Sequence, residues 1–195
     1  MKINLLIAIV TSVLFIQCAE EKDPFLISKG AIGPLSKEIK MMQVDSIFAT
    51  DSIVPLSSIK NALGTQGEVE VYEKGGKKLL LLSPNSETDP NSVITNIQIF
   101  DDRYKTDKGL NLNSTFADVK ANYEVVGIQN AINSVVVFLK DSEVYLTIDK
   151  KELPASLRYN YSAKVEVTQI PDAAKFKYFM VGWDIEDASE EADEN

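Results

Sequence analysis

The chain has 195 residues, 45% of them hydrophobic and 25% charged, a globular balance that excludes wholesale disorder. Its 29 acids against 20 bases give a formal net charge of −9, which repels phosphate backbones and excludes nucleic acid as a partner. Histidine is absent and cysteine occurs once, so His-based triads, familiar zinc enzymes and most thiol chemistry are excluded, and no cofactor or metal is expected.

Met1-Lys2 is a short basic start, and Ile3 to Ile16 is almost wholly apolar. A run of about 14 residues is too short to span a bilayer core of ~30 Å, which needs ~20 residues as a helix. It fits the apolar region of a secretory signal over residues 1–17. Phe15-Ile16-Gln17-Cys18 resembles a bacterial lipobox, with Gln17 in place of the usual small residue. The resemblance implies cleavage before Cys18, acylation of its thiol (palmitate or a similar chain) and no thiol left for disulfides. Two or more acyl chains make a stable anchor.

Residues 18–25 read as an acidic tether. Glu20-Glu21-Lys22-Asp23 is either a solvated spacer or, by resemblance, a surface-export signal of Bacteroidetes lipoproteins. A first α+β unit is expected over 26–90. Met41, Val44 and Phe48 have the i, i+3, i+7 spacing of one helix face. Val69 and Val71, the turn Glu73 to Lys77 and Leu79 to Leu82 then read as a hairpin, since Gly75-Gly76 is a strong turn signal. Asp45-Ser46-Ile47 and Asp51-Ser52-Ile53 match an acceptor pattern resembling Bacteroidetes O-glycosylation, with Ser52, past the helix end, the better acceptor.

A second unit, with closing strands, is expected over 91–183. Ile94 to Phe100 alternates as a strand, and Asp101 to Lys108 is a polar connection. Thr115 and Asp118 have the spacing of a capping box, and Phe116, Val119 and Tyr123 repeat the helix face seen 75 positions earlier. Val135, Val137 and Leu139, the turn Lys140-Asp141-Ser142, and Val144, Leu146 and Ile148 form a second hairpin. Phe48 and Tyr123 should each pack on its own hairpin, with the Tyr123 hydroxyl at the edge of its cluster. Arg158, Tyr159 and Tyr161 have a composition suited to sugar or protein contact, although buried strand positions explain the tyrosines as well. Tyr161 to Val167 reads as a strand, and Phe176 to Trp183 as a central strand with both faces buried.

Residues 184–195 carry seven acids and no base, the composition of a disordered tail. Without those acids and Lys2, the net charge of Cys18 to Trp183 is −3, so the acidity is local. The twofold pattern of glycine, short helix ending in an aromatic, and hairpin resembles tandem modules of the beta-lactamase-inhibitor-protein-like type. Ile27 to Val54 and Gly109 to Ile148 also resemble uncharacterised Bacteroidetes lipoproteins. The resemblance implies an α+β fold of two similar units, each a short helix packed on an antiparallel hairpin-rich sheet. It also implies a lipid-anchored place at the outer membrane, on its periplasmic or cell-surface face. The expectation is a non-catalytic binding or assembly module of the bacterial envelope. Two alternatives stand beside it: a carboxylate-based hydrolase of envelope glycans, for which Glu68/Glu70 and Asp101-Asp102 are the available acids, and a purely structural envelope protein.

Overall fold

The computed structural model describes residues 23–56, 67–89, 91–158 and 164–183. Strands and bridges take 41% of them and helical turns 17%, so the fold is mostly β. Two sheets carry the chain. The smaller has four short strands: β1 (Leu26–Ser28), β2 (Ala31–Ile32), β3 (Leu35–Ser36) and β8 (Lys105–Thr106), in the order β3-β2-β1-β8. The β1–β8 pair is parallel and the others antiparallel.

The larger sheet has eight strands in two meanders. The first is β4 (Ser52–Pro55), β5 (Val69–Tyr72), β6 (Lys78–Pro84) and β7 (Ile94–Ile99). The second is β9 (Val125–Asn130), β10 (Ser134–Leu139), β11 (Val144–Asp149) and β12 (Phe176–Gly182). Their last strands, β7 and β12, pair antiparallel, which gives the order β4-β5-β6-β7-β12-β11-β10-β9. Alternation sets the registers. Val69, Val71, Leu80, Leu82, Ile97, Ile99, Val181, Phe179, Leu146 and Val137 all face one core, which the smaller sheet joins through Ile27, Ile32 and Leu35.

This overturns the expected pair of helix-on-sheet units. Both hairpins lie in one continuous sheet over one core, and the helices are too short to form a layer. Around Met41, Val44 and Phe48 there is only a 3₁₀ turn at Met41–Gln43 followed by α1 (Val44–Ile47), although all three residues are buried. Val44, Asp45, Ser46 and Ile47 are middling helix formers, and a single turn forms few of the hydrogen bonds that offset nucleation. The fuller helix is α2 (Phe116–Asn122), where the Asp118 carboxylate accepts the Thr115 N–H at 2.7 Å. It stops at Tyr123, whose backbone is already extended ahead of β9. One more turn, α3 (Ala155–Arg158), precedes the closing strand.

Two further expectations are corrected. No strand occupies Lys164–Glu166, and Val167–Gln169 is a 3₁₀ turn, while residues 159–163 lie outside the described residues. β12 is central, between β7 and β11, but only one of its faces is buried: Phe179 and Val181 face the core while Tyr178 is 39% exposed.

Gly33 fastens the segment around Pro24 to the smaller sheet. Its backbone is left-handed at φ +54°, its N–H donates to the Leu26 carbonyl at 2.8 Å, and an added Cβ would stand 2.2 Å from the Pro24 carbonyl oxygen. Left-handed backbone costs a residue with a Cβ ~1–2 kcal/mol, and the overlap with main chain adds to it. Gly33→Ala should therefore cost about 3 kcal/mol in chemical denaturation. Gly109→Ala, at φ +81° with nothing within 4 Å, should cost only about 1 kcal/mol. Equal losses at the two positions would count against this close approach.

Candidate functional site

A cleft of about 460 Å³ opens where the smaller sheet meets the second meander. Four segments line it: the end of β1 with Lys29, the turn Thr106–Lys108 after β8, Tyr123-Glu124 between α2 and β9, and the β10–β11 turn from Lys140 to Val144. They are far apart in sequence and are tied together by hydrogen bonds. The Gly30 N–H donates to Glu143 Oε2 at 2.6 Å, joining the smaller sheet to the β10–β11 turn. The Tyr123 hydroxyl donates to Thr106 Oγ1 at 2.7 Å, joining the end of α2 to β8. Lys108 Nζ donates to the Asn122 carbonyl at 3.0 Å and sits 4.5 Å from the centre of the Tyr123 ring. Asp141 holds the β10–β11 turn with left-handed backbone at φ +54°, which aspartate tolerates better than most residues.

The base of the cleft is apolar where Ile27 and Val144 are buried, and its rim is charged. Lys29, Lys108 and Lys140 stand among Asp107, Glu124, Asp141 and Glu143. Lys140 pairs with Glu124 at 2.8 Å, a hydrogen bond that raises the lysine's pKa. Burial raises the pKa of the Tyr123 hydroxyl, and the nearby Asp107 charge adds to this. The phenol therefore stays protonated and serves as a donor. Lys29, Asp107 and Asp141 make no hydrogen bond or ion pair through their side chains among the described residues. Nor do the described residues include a group of three or more side chains able to hold a metal ion.

None of the described residues proposed from sequence as glycan acceptors, ligand contacts or catalytic acids lines this cleft. Ser46 is exposed in α1, where its hydroxyl donates to the Gln43 carbonyl at 3.1 Å. Ser52 lies past the end of α1, exposed on β4, an edge strand of the larger sheet. Arg158 Nε donates to the Leu153 carbonyl at 2.7 Å, which closes α3 onto the turn before it. Cys18, Tyr159, Tyr161 and the acidic tail lie outside the described residues. Glu68 and Glu70 stand on β5 and the residue before it, with Glu70 bonded to Lys78 and to the Tyr72 hydroxyl. The charged cleft residues were legible only as polar connections and turns, Tyr123 as the end of a helix face and Val144 as a strand position. Asp107-Lys108 and Lys140-Asp141 each put opposite charges on a turn, and nothing local says that the two turns meet.

Among the described residues the buried acid is Asp101, away from the cleft. Burial alone would push its carboxyl up. Hydrogen bonds from the Arg103 side chain and backbone and from Lys77 outweigh that and hold it at about 2. Its partners lie close: Arg103 Nη2 at 2.6 Å, Arg103 Nε at 3.0 Å and Lys77 Nζ at 3.1 Å. Arg103 also reaches Glu73 at 2.8 Å and lies 4.3 Å over the Phe25 ring. Tyr104, fully buried, meets Phe25 edge-on at 5.0 Å, and burial followed by the Asp101 charge pushes its hydroxyl up. This network pins the loop after β7 to the β5–β6 turn and to Phe25, just before β1.

No family model matches the sequence. No curated protein matches it either. Among solved structures, the fold is similar to the uncharacterised protein YfeY from Escherichia coli, at 14% identity and a TM-score of 0.51. The match covers 80% of this chain and 98% of that one, so the likeness extends over nearly the whole of that fold.

Proposed function

We propose that the chain is a lipid-anchored protein of the bacterial outer membrane that works as a binding or assembly module and catalyses nothing. The observation that carries the binding role is the cleft, an open site of ligand size with an apolar base and a charged rim. Glycan hydrolysis needs a carboxyl kept protonated by apolar surroundings. Two of the four cleft acids offer the opposite, since Glu124 meets a lysine and Glu143 accepts a backbone N–H. Asp101 is buried but is held low by two cations.

Anchoring rests on Cys18, which follows the apolar leader. Four residues separate it from Asp23, where the described structure begins, and the five chain steps between the two reach at most ~18 Å. Asp23 is itself held, since its carboxylate accepts the Phe25 N–H at 2.9 Å and stands 3.8 Å from Lys105. An anchored Cys18 thus keeps the smaller sheet and its cleft close to the membrane surface. No helix among the described residues is long and apolar enough to cross a membrane. Cys18→Ala should move the protein from the membrane pellet to the soluble fraction after cell lysis. Unchanged partitioning of the variant would sink the anchor reading.

A further inference from the structure

We propose that the cleft binds a small zwitterion of short-peptide size, carrying an ammonium group and a carboxylate on one frame. The inference rests on the binding-module reading and names the ligand class of that same site. The rim carries both signs, three lysines and four carboxylates. Part of this charge is spent internally: Lys140 on Glu124, Glu143 on the Gly30 N–H, and Lys108 on the Asn122 carbonyl and the Tyr123 ring. What remains for a ligand is one cation, Lys29, and two carboxylates, Asp107 and Asp141. A ligand with only negative charge would meet Asp107 and Asp141 without compensation. One with only positive charge would leave Lys29 without a counter-charge. A molecule with both signs meets each with its opposite, and its uncharged frame can lie on Ile27, Val144 and the Tyr123 ring.

Size and stiffness agree with this choice. A cleft of about 460 Å³ suits a ligand of a few residues, not a single ion. Its four walls are fastened in two pairs by the Gly30–Glu143 and Tyr123–Thr106 hydrogen bonds, and the β1–β8 pairing and the Lys140–Glu124 ion pair join the pairs, so little ordering remains to be done on binding.

The test is an amide NMR titration of the full chain, purified in a non-ionic maltoside, with three probes on one frame. Triglycine carries both charges, N-acetyl-triglycine only the negative one, and triglycine amide only the positive one. Triglycine should shift the amides of Lys29, Gly30, Asp107, Lys108 and Asp141 saturably, at least fivefold more tightly than either capped form. Lys29→Ala and Asp107→Ala should each weaken triglycine at least fivefold with the remaining amides unmoved, while Lys151→Ala, exposed and off the cleft lining, should leave binding unchanged. Capped forms that bind these amides as tightly as triglycine overturn the zwitterion assignment and leave a binding cleft standing. If no probe shifts them, the ligand assignment and the cleft as the binding site fall together.

Discussion

Phe179→Ala should destabilise the whole chain by about 3–5 kcal/mol, the cost of emptying a buried aromatic site. Phe179 is fully buried in β12, opposite Ile99 of β7 on one side and Leu146 of β11 on the other. It therefore sits at the seam where the two meanders become one sheet. Guanidinium denaturation followed by Trp183 fluorescence and by far-ultraviolet circular dichroism should show both signals lost together, at a lower midpoint than in the parent. Tyr178→Ala, one residue away on the exposed face, should cost under about 1 kcal/mol. Two independently folding units would behave differently: the circular dichroism would keep one transition at the parental midpoint. That result would sink the single-core account.

Asp101→Ala should cost about 2–3 kcal/mol, because it strands the Arg103 N–H and breaks up a part-buried cluster of charge-assisted hydrogen bonds around a buried carboxylate. The same carboxylate makes a pH prediction. Its folded pKa lies at about 2, below the ordinary 3.8, so the folded state binds the proton less readily than the unfolded state. The resulting stabilisation is complete above the unfolded value and is lost as pH falls from about 4 to about 2. The difference amounts to about 2 kcal/mol. Asp101→Asn keeps an acceptor for the Arg103 N–H but cannot titrate, so its stability should be flatter than the parent's across that window. Urea midpoints measured at pH 5, 4, 3 and 2 decide the matter. A variant that loses stability between pH 4 and 2 as steeply as the parent would show that Asp101 is not the titrating group.

Local patterns were readable where a local force sets the structure. The alternation of Val135, Val137 and Leu139 with Val144, Leu146 and Ile148 gave a hairpin because a period of two puts one face in the core, and those residues pair in register. The glycines between β5 and β6 take φ +117° and +92°, as a tight turn there demands. The Thr115–Asp118 box starts α2 because it satisfies an otherwise orphaned N–H. The same reasoning misjudged Met41 to Phe48, whose spacing is helical but whose residues support only one turn of each helix type. The spacing reported which side chains would be buried and not the backbone that buries them. It also gave Phe176 to Trp183 two buried faces, because an apolar side chain in sequence looks alike whether it faces the core, as Phe179 does, or solvent, as Tyr178 does.

The sequence by itself determined the lack of histidine, the apolar leader ahead of a lone Cys18, most strands of the larger sheet and two of its hairpin turns. These follow from composition, from alternation over a few residues and from backbone freedom at glycine, all of which act over short range. Only the tertiary structure decided that β7 pairs with β12 across 76 intervening residues, that β1 runs parallel to β8, and that Asp107-Lys108 and Lys140-Asp141 face one cleft. Partner choice among strands that all alternate depends on which faces fill the core together. That free energy belongs to the packed whole and has no signature within any one segment.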